Sequence, residues 1–369
     1  MRYRTVASYL TLLAAAALSS CTNAQGDEED NALKPEDFGG LDPESVRGQA
    51  VKEFGILPDV QTSSKHPITD AKVTLGRQLF YEKRLSKNQD LSCNTCHDLN
   101  GYGIDRRSGS GKTSLGHRGQ LGTRNTPSVY NAARQVAQFW DGRAVDVEEQ
   151  AKGPILNPVE MAMPNAAAVV SVLKSIPGYT PLFQAAFPGV KDPITYDNLG
   201  IAIGAFERKL VSDDRFDAYL SGDKDALSAP ELRGLYVFLN HGCPACHTGP
   251  GLGGELYRKL GDVKVYPSNG DTGRYEVTKK EMDRNVFKVP SLRNVERTAP
   301  YFHDGSQATL PAAIRTMSEY QTLSGKLSDD DVNAVVTFLQ SLTGELPSAY
   351  IKEPTLLPGS TTTPAPDPR

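Results

Sequence analysis

The feature that most constrains this chain is a five-residue pattern that occurs twice. Cys-Asn-Thr-Cys-His at 93–97 and Cys-Pro-Ala-Cys-His at 243–247 use four of the five cysteines. In C-x-x-C-H the two thiols are spaced to add across the two vinyl groups of one haem, while the adjacent imidazole reaches the iron from the same side. Cys93 with Cys96, and Cys243 with Cys246, are therefore read as attachment points for two covalently bound haem c groups. His97 and His247 are then the proximal iron ligands. The competing reading is a zinc ion held by two C-x-x-C knuckles. The knuckles lie about 150 residues apart and each is followed at once by histidine, which favours haem.

The fifth cysteine, Cys21, ends an N-terminal signal. Arg2 and Arg4 precede an apolar run, Val6 to Leu18, that is too short to span a bilayer and has the order of a secretory signal. The run closes in Leu-Ser-Ser-Cys (18–21), which resembles a bacterial lipobox. Residues 1–20 are thus expected to be cleaved as a lipoprotein signal peptide and Cys21 to be lipidated; an ordinary signal cut near Ala24 is the alternative. Thr22 is not the aspartate that retains lipoproteins in the inner membrane, so the expected location is the periplasm, anchored to the outer membrane. Cysteines of an exported chain usually form disulfides, but here the haem motifs absorb them. A net charge of −4 over 369 residues gives no nucleic-acid footprint. Membrane contact is expected only through the lipid at Cys21.

Residues 21–65 read as a tether and docking segment and 346–369 as a C-terminal tail, whose Pro- and Thr-rich end (353–369) promises little regular structure. Between them the patterns are helical. Residues 70–81 place Val73, Leu75, Leu79 and Phe80 broadly on one side, and 199–210 form another helical stretch. Residues 228–242 open with a Ser228/Glu231 capping box and end at a glycine. Residues 328–344 repeat that grammar, with Ser328 as N-cap and Val332, Val335, Val336 and Leu339 at helical spacing. No region offers a run of alternating strands. An internal duplication is also visible: residues 127–142 match 290–305 without a gap, and Phe139-Trp140-Asp141-Gly142 lies over Phe302-His303-Asp304-Gly305. The expected fold is mainly α, with two cytochrome c-like domains (66–212 and 213–345), each with one haem.

Each iron then needs a sixth position. The remaining histidines are His66, His117, His241 and His303, and the methionines after the signal are Met161, Met163, Met282 and Met317. His241 is too close to Cys243 to reach the opposite haem face. The counterpart of His303 is Trp140, which cannot ligate iron, so a near-haem role suits His303 better. His117 lies between Gly116 and Gly119 in a stretch, 113–125, too polar to bury itself. Methionine ligation raises a haem potential and bis-histidine ligation lowers it, so one site of each kind would direct an electron path.

Residues 116–161 and 287–317 resemble the bacterial di-haem cytochrome c peroxidases, and the resemblance extends over about 66–345. It implies reduction of hydrogen peroxide to water with electrons from a small c-type cytochrome or a cupredoxin, by a homodimer. His117 matches the displaceable distal ligand of the N-terminal, low-potential haem, and Met317 the distal ligand of the C-terminal, high-potential one. Trp140 matches the tryptophan between the haems, and Gln150 and Glu160 the polar pair beside the peroxide pocket. Asn125, with the carbonyls of Thr298 and Pro300, matches an interdomain calcium site. Gly116, Gly119 and Gly122 are expected to let the His117 backbone leave the iron. Pro158, Val159, Met161 and Met163 around Glu160 suit a partly desolvated carboxylate able to shuttle a proton. Two other readings stay open: a non-enzymatic di-haem electron carrier, and the related di-haem enzyme that oxidises tryptophans of a partner protein. In the latter a tyrosine stands where this chain has Met317. The segment 105–112 makes the approach to His117 longer than the family leads one to expect.

Overall fold

The computed structural model describes residue 38 and residues 42–107, 112–267 and 269–369. The signal peptide, Cys21 and residues 108–111 lie outside the described residues. The fold is mostly helical, and its framework is two helix pairs. Helix Asp70–Phe80 packs against Tyr196–Glu207, and Ala229–Asn240 packs against Asp329–Gln340. Local chemistry starts each helix where the sequence indicates. Thr69 accepts from the Lys72 N–H, Thr195 from Asn198 and Ser328 from Asp331, and Ser228 and Glu231 close their capping box.

The two pairs are built on the same contact. A Cβ on Gly76 would lie 1.9 Å from the Ala202 carbonyl oxygen and 2.9 Å from the Phe206 Cβ. A Cβ on Gly234 would lie 1.9 Å from the Ala334 oxygen and 2.8 Å from the Phe338 Cβ. Only glycine lets the helices approach so closely. The matched stretches 127–142 and 290–305 also fold alike. Each has a left-handed asparagine (Asn131, φ 57°; Asn294, φ 60°) before a 3-10 turn, Ala132–Arg134 or Val295–Arg297. Each then has a left-handed phenylalanine (Phe139, φ 66°; Phe302, φ 71°) inside a short bridge, Gln138 to Ala144 or Tyr301 to Gln307. The side-chain amides of Asn131 and Asn294 both donate to the Ser212 hydroxyl, at 3.3 and 2.7 Å.

The two ends of the described chain cross over. Helix Pro43–Phe54, inside the segment read as a tether and docking segment, buries Val46, Ala50 and Phe54. Phe54 meets Phe216 and Phe238 at ring separations of 5.6 and 6.3 Å, beside the second helix pair. The C-terminal segment runs back over the first pair. Tyr350 stacks on Phe206 at 5.0 Å, Ser360 donates to the Ser175 carbonyl, and the Asp367 N–H donates to the Lys87 carbonyl. Residues 353–369 form no helix or strand, as expected, yet they are held at several points. The one two-stranded sheet among the described residues pairs Tyr257–Lys259 antiparallel with Val286–Lys288, Tyr257 opposite Lys288. Three-residue strands are too short to show alternation, and the sequence reading did not anticipate them.

Candidate active site

Cys93, Cys96 and His97 line a cavity of about 210 Å³ together with Asn125, Trp140, Gln150 and Glu160. The His97 Nδ1 lies 3.1 Å from the Gly103 carbonyl oxygen. A carbonyl only accepts, so Nδ1 carries the proton and Nε2 is left as the donor atom for a metal, the usual outer partner of a ligating histidine. Burial lowers the His97 pKa, which keeps the ring neutral and able to ligate. Burial likewise pushes the Cys96 thiol up to about 11.

His117 is 5% exposed, and its Nε2 is buried with no hydrogen-bond partner among the described residues. A buried polar nitrogen left alone costs about 1–3 kcal/mol, and an iron atom would relieve it. Its backbone is anchored: the His117 N–H donates to the Glu160 carbonyl at 2.7 Å, and Gly116 and Gln120 close a turn at 2.8 Å. The glycines flanking His117 stand in different surroundings. Gly119 (φ 71°) has open space around it, but a Cβ on Gly116 would lie 1.9 Å from the Val159 carbonyl oxygen. Gly116 is needed for close approach to the Glu160 turn.

The Glu160 carboxyl is half-buried, and its pKa is raised chiefly by burial, with the Arg143 charge opposing. Gln150 ends the single turn Val147–Gln150, which a buried ion pair holds in place. Arg208 donates to both oxygens of Glu148, at 2.7 and 2.8 Å, and the Glu148 side chain lies against Gly204.

Cys243, His247 and Met317 share a cavity of about 190 Å³, and Cys246, His247 and Met317 one of about 130 Å³. The His247 Nδ1 faces the Leu252 carbonyl oxygen at 3.0 Å, repeating the arrangement at His97. Each C-x-x-C-H thus opens onto its own space. Among the described residues no three His, Cys, Asp or Glu side chains converge as a metal cage. The His241 Nε2 is taken up by the Gly325 carbonyl and the Thr322 hydroxyl. His303 stacks on Phe287 at 4.2 Å, with its Nε2 beside the Asn269 amide. Met282 is 82% exposed. Met317 lines both His247 cavities.

Trp140 lines all three cavities. Its indole N–H donates to the Asn125 carbonyl at 2.8 Å, the Asn125 N–H donates to the His303 carbonyl at 2.7 Å, and the Asn125 side-chain amide donates to the Pro300 carbonyl at 2.6 Å. The stretch carrying His117, the tryptophan and the 298–303 turn therefore meet at one residue. Thr298 and Pro300 line the larger His247 cavity with Asn125.

A family model described as di-haem cytochrome c peroxidase matches residues 70–225. The chain is 45% identical over 331 residues to the cytochrome c551 peroxidase of Pseudomonas aeruginosa, covering 88% of this chain and 93% of that one. It is 46% identical over 296 residues to the Nitrosomonas europaea protein of the same name, covering 80% and 86%. The chain belongs to the di-haem cytochrome c peroxidase family. A solved MauG-like protein associated with microbial copper homeostasis shares the fold of this family member. It has a TM-score of 0.71 and 30% identity, over 81% of this chain and 97% of the other. Several residues around the cavities of this di-haem protein were not picked out from sequence: Arg124, which bridges Asp141 and Asp271, Arg143, Glu207 and Lys288. Arg143 had a signal, since it directly follows Trp140-Asp141-Gly142. Buried Glu207 and Lys288 had none, because most acids and lysines are solvated.

Proposed function

We propose that this chain reduces hydrogen peroxide to water in the periplasm, each peroxide taking two electrons and two protons and yielding two waters. The observation that carries this reading is the shared cavity of Cys93, Cys96, His97, Gln150, Glu160 and Trp140 in a chain 45% identical to a cytochrome c551 peroxidase. Two covalently held c-type haems supply redox-active iron, one to take peroxide and one to relay electrons. Cys93 and Cys96 hold the first and Cys243 and Cys246 the second, in two cytochrome c-like domains (66–212 and 213–345) related by duplication. The paired helix contacts and matched turns support that division.

His97 and His247 would hold the two irons through Nε2, each ring fixed by a backbone carbonyl behind it. His117 would be a further ligand of the first iron, a role its unpartnered Nε2 suits, and Met317 would be one for the second. Cleaving the O–O bond of peroxide needs a proton carried from one oxygen to the other. The Glu160 carboxyl, half-desolvated beside the cavity, is the group to carry it, and Gln150 orients the substrate through its amide. Electrons from a small c-type cytochrome or a cupredoxin enter at the His247 and Met317 side and pass Trp140. Asn125 links Trp140 to the His117 stretch, so the state of one site can be felt at the other.

Asn125, Thr298 and Pro300 offer a calcium ion oxygen ligands. The Asn125 amide already points at the Pro300 carbonyl, and turned over it presents oxygen instead. The lipobox supports a lipid at Cys21 and outer-membrane attachment, and the family resemblance supports a homodimer.

One experiment tests the reading. Purified protein is mixed with peroxide and reduced cytochrome c, with and without prior one-electron reduction, while haem spectra are recorded. Turnover only after pre-reduction is expected. Turnover in neither condition leaves an electron carrier and overturns the peroxidase reading.

A further inference from the structure

We propose that Glu207 is the charge-compensating proton site of the first haem. An electron delivered to that iron, taking it from ferric to ferrous, is matched by a proton moving from solvent onto the Glu207 carboxylate, and reoxidation releases the proton. The inference rests on the reading that Cys93, Cys96 and His97 carry a haem, and adds the group that answers its change of charge.

Glu207 ends helix Tyr196–Glu207, is 4% exposed, and lines the first cavity with Cys93, Gln150 and Glu160. No donor among the described residues bonds to its carboxyl, and the residue lines the cavity. The titratable and charged groups facing it are Glu148, Arg208, Cys93 and Tyr350. Arg208, the cation among them, is committed to Glu148 through two short hydrogen bonds. Cys93 becomes a thioether once haem is attached, and burial holds the Tyr350 phenol protonated while it donates to the Phe206 carbonyl. A carboxylate here faces the incoming electron with no other charge to offset it, and in a cavity of low dielectric that repulsion is strong. Burial, reinforced by Glu148, pushes Glu207 up to about 8, so its proton is gained or lost near neutrality.

The test is a spectroscopic redox titration of the holoprotein with dithionite, from about pH 6 to about pH 10. The first-haem potential is expected to fall as pH rises, approaching about 59 mV for each tenfold drop in proton concentration. Glu207→Gln is expected to abolish that slope with both haem spectra intact, and Glu207→Asp to keep it. A flat wild-type potential, or an equal slope in Glu207→Gln, overturns the proposal. Should Glu207→Gln not fold, infrared difference spectra of the wild type give the answer: a protonated-carboxyl band must appear on reduction, and its absence refutes the assignment. A holoprotein lacking the first haem's absorbance at every pH instead sinks the underlying haem reading, and the proposal with it.

Discussion

The Glu148–Arg208 pair yields the sharpest energetic prediction. Both side chains are under 10% exposed, and both guanidinium–carboxylate hydrogen bonds are short. Replacing Arg208 with Met leaves Glu148 as an unpaired buried carboxylate with Glu207 next to it. Breaking a buried ion pair from one side costs about 3–5 kcal/mol, whereas replacing both partners with apolar groups is near neutral. Arg208→Met should therefore lose about 3–5 kcal/mol in urea unfolding followed by circular dichroism, and the double variant Arg208→Met/Glu148→Met should recover most of it. A coupling of that size is expected only between groups in contact. The Val147–Gln150 turn hangs on this pair, so peroxide turnover should fall in the single variant while the second-haem spectrum stays unchanged. A single variant that loses under about 1 kcal/mol, or a double variant as unstable as the single, would refute the reasoning.

His117→Gly should show a five-coordinate first haem in the fully oxidised protein by absorption and electron paramagnetic resonance; an unchanged low-spin spectrum rules out ligation by His117. Glu160→Gln should reduce peroxide turnover about 100-fold or more with both haem spectra intact, and near-normal turnover removes Glu160 from the chemistry. Gly76→Ala and Gly234→Ala each drive a methyl into a backbone carbonyl and should lower the thermal midpoint markedly, because backbone cannot step aside as a side chain can. A neutral effect at either position would mean that the helices are not in the contact described.

The haem motifs and the helix starts were legible because each depends on local chemistry: a fixed spacing, a cap three residues from its partner, an apolar stripe. Gln150 and Glu160 were singled out only by the family resemblance. The crossing of the chain ends was not. The C-terminal segment is held largely through backbone carbonyls, those of Lys87 and Ser175 among them, and any sequence supplies a carbonyl. Within the segment read as tether and docking segment, helix Pro43–Phe54 was not legible as a helix: it buries only Val46, Ala50 and Phe54, too thin a stripe to stand out from acidic surroundings. Gly116 was legible as a required glycine, but not for which reason, since hinge and close contact ask for the same residue.

That contact bears on how His117 could leave an iron. The imidazole does not hang from a free loop, because its own N–H is bonded to the carbonyl of Glu160 and its neighbour Gly116 is seated against Val159. Withdrawal of the ring must either swing it about fixed backbone or break the bond to Glu160, the residue proposed to carry the proton. In the second case, opening the sixth position and repositioning the acid–base group are one motion, and neither can be altered alone. Asn125 lies eight residues further along the same stretch, bonded to Trp140 and to the Pro300 and His303 carbonyls. A shift at the second haem that moves the 298–303 turn therefore pulls on the stretch that carries His117, by a path of consecutive hydrogen bonds that substitution of Asn125 would cut.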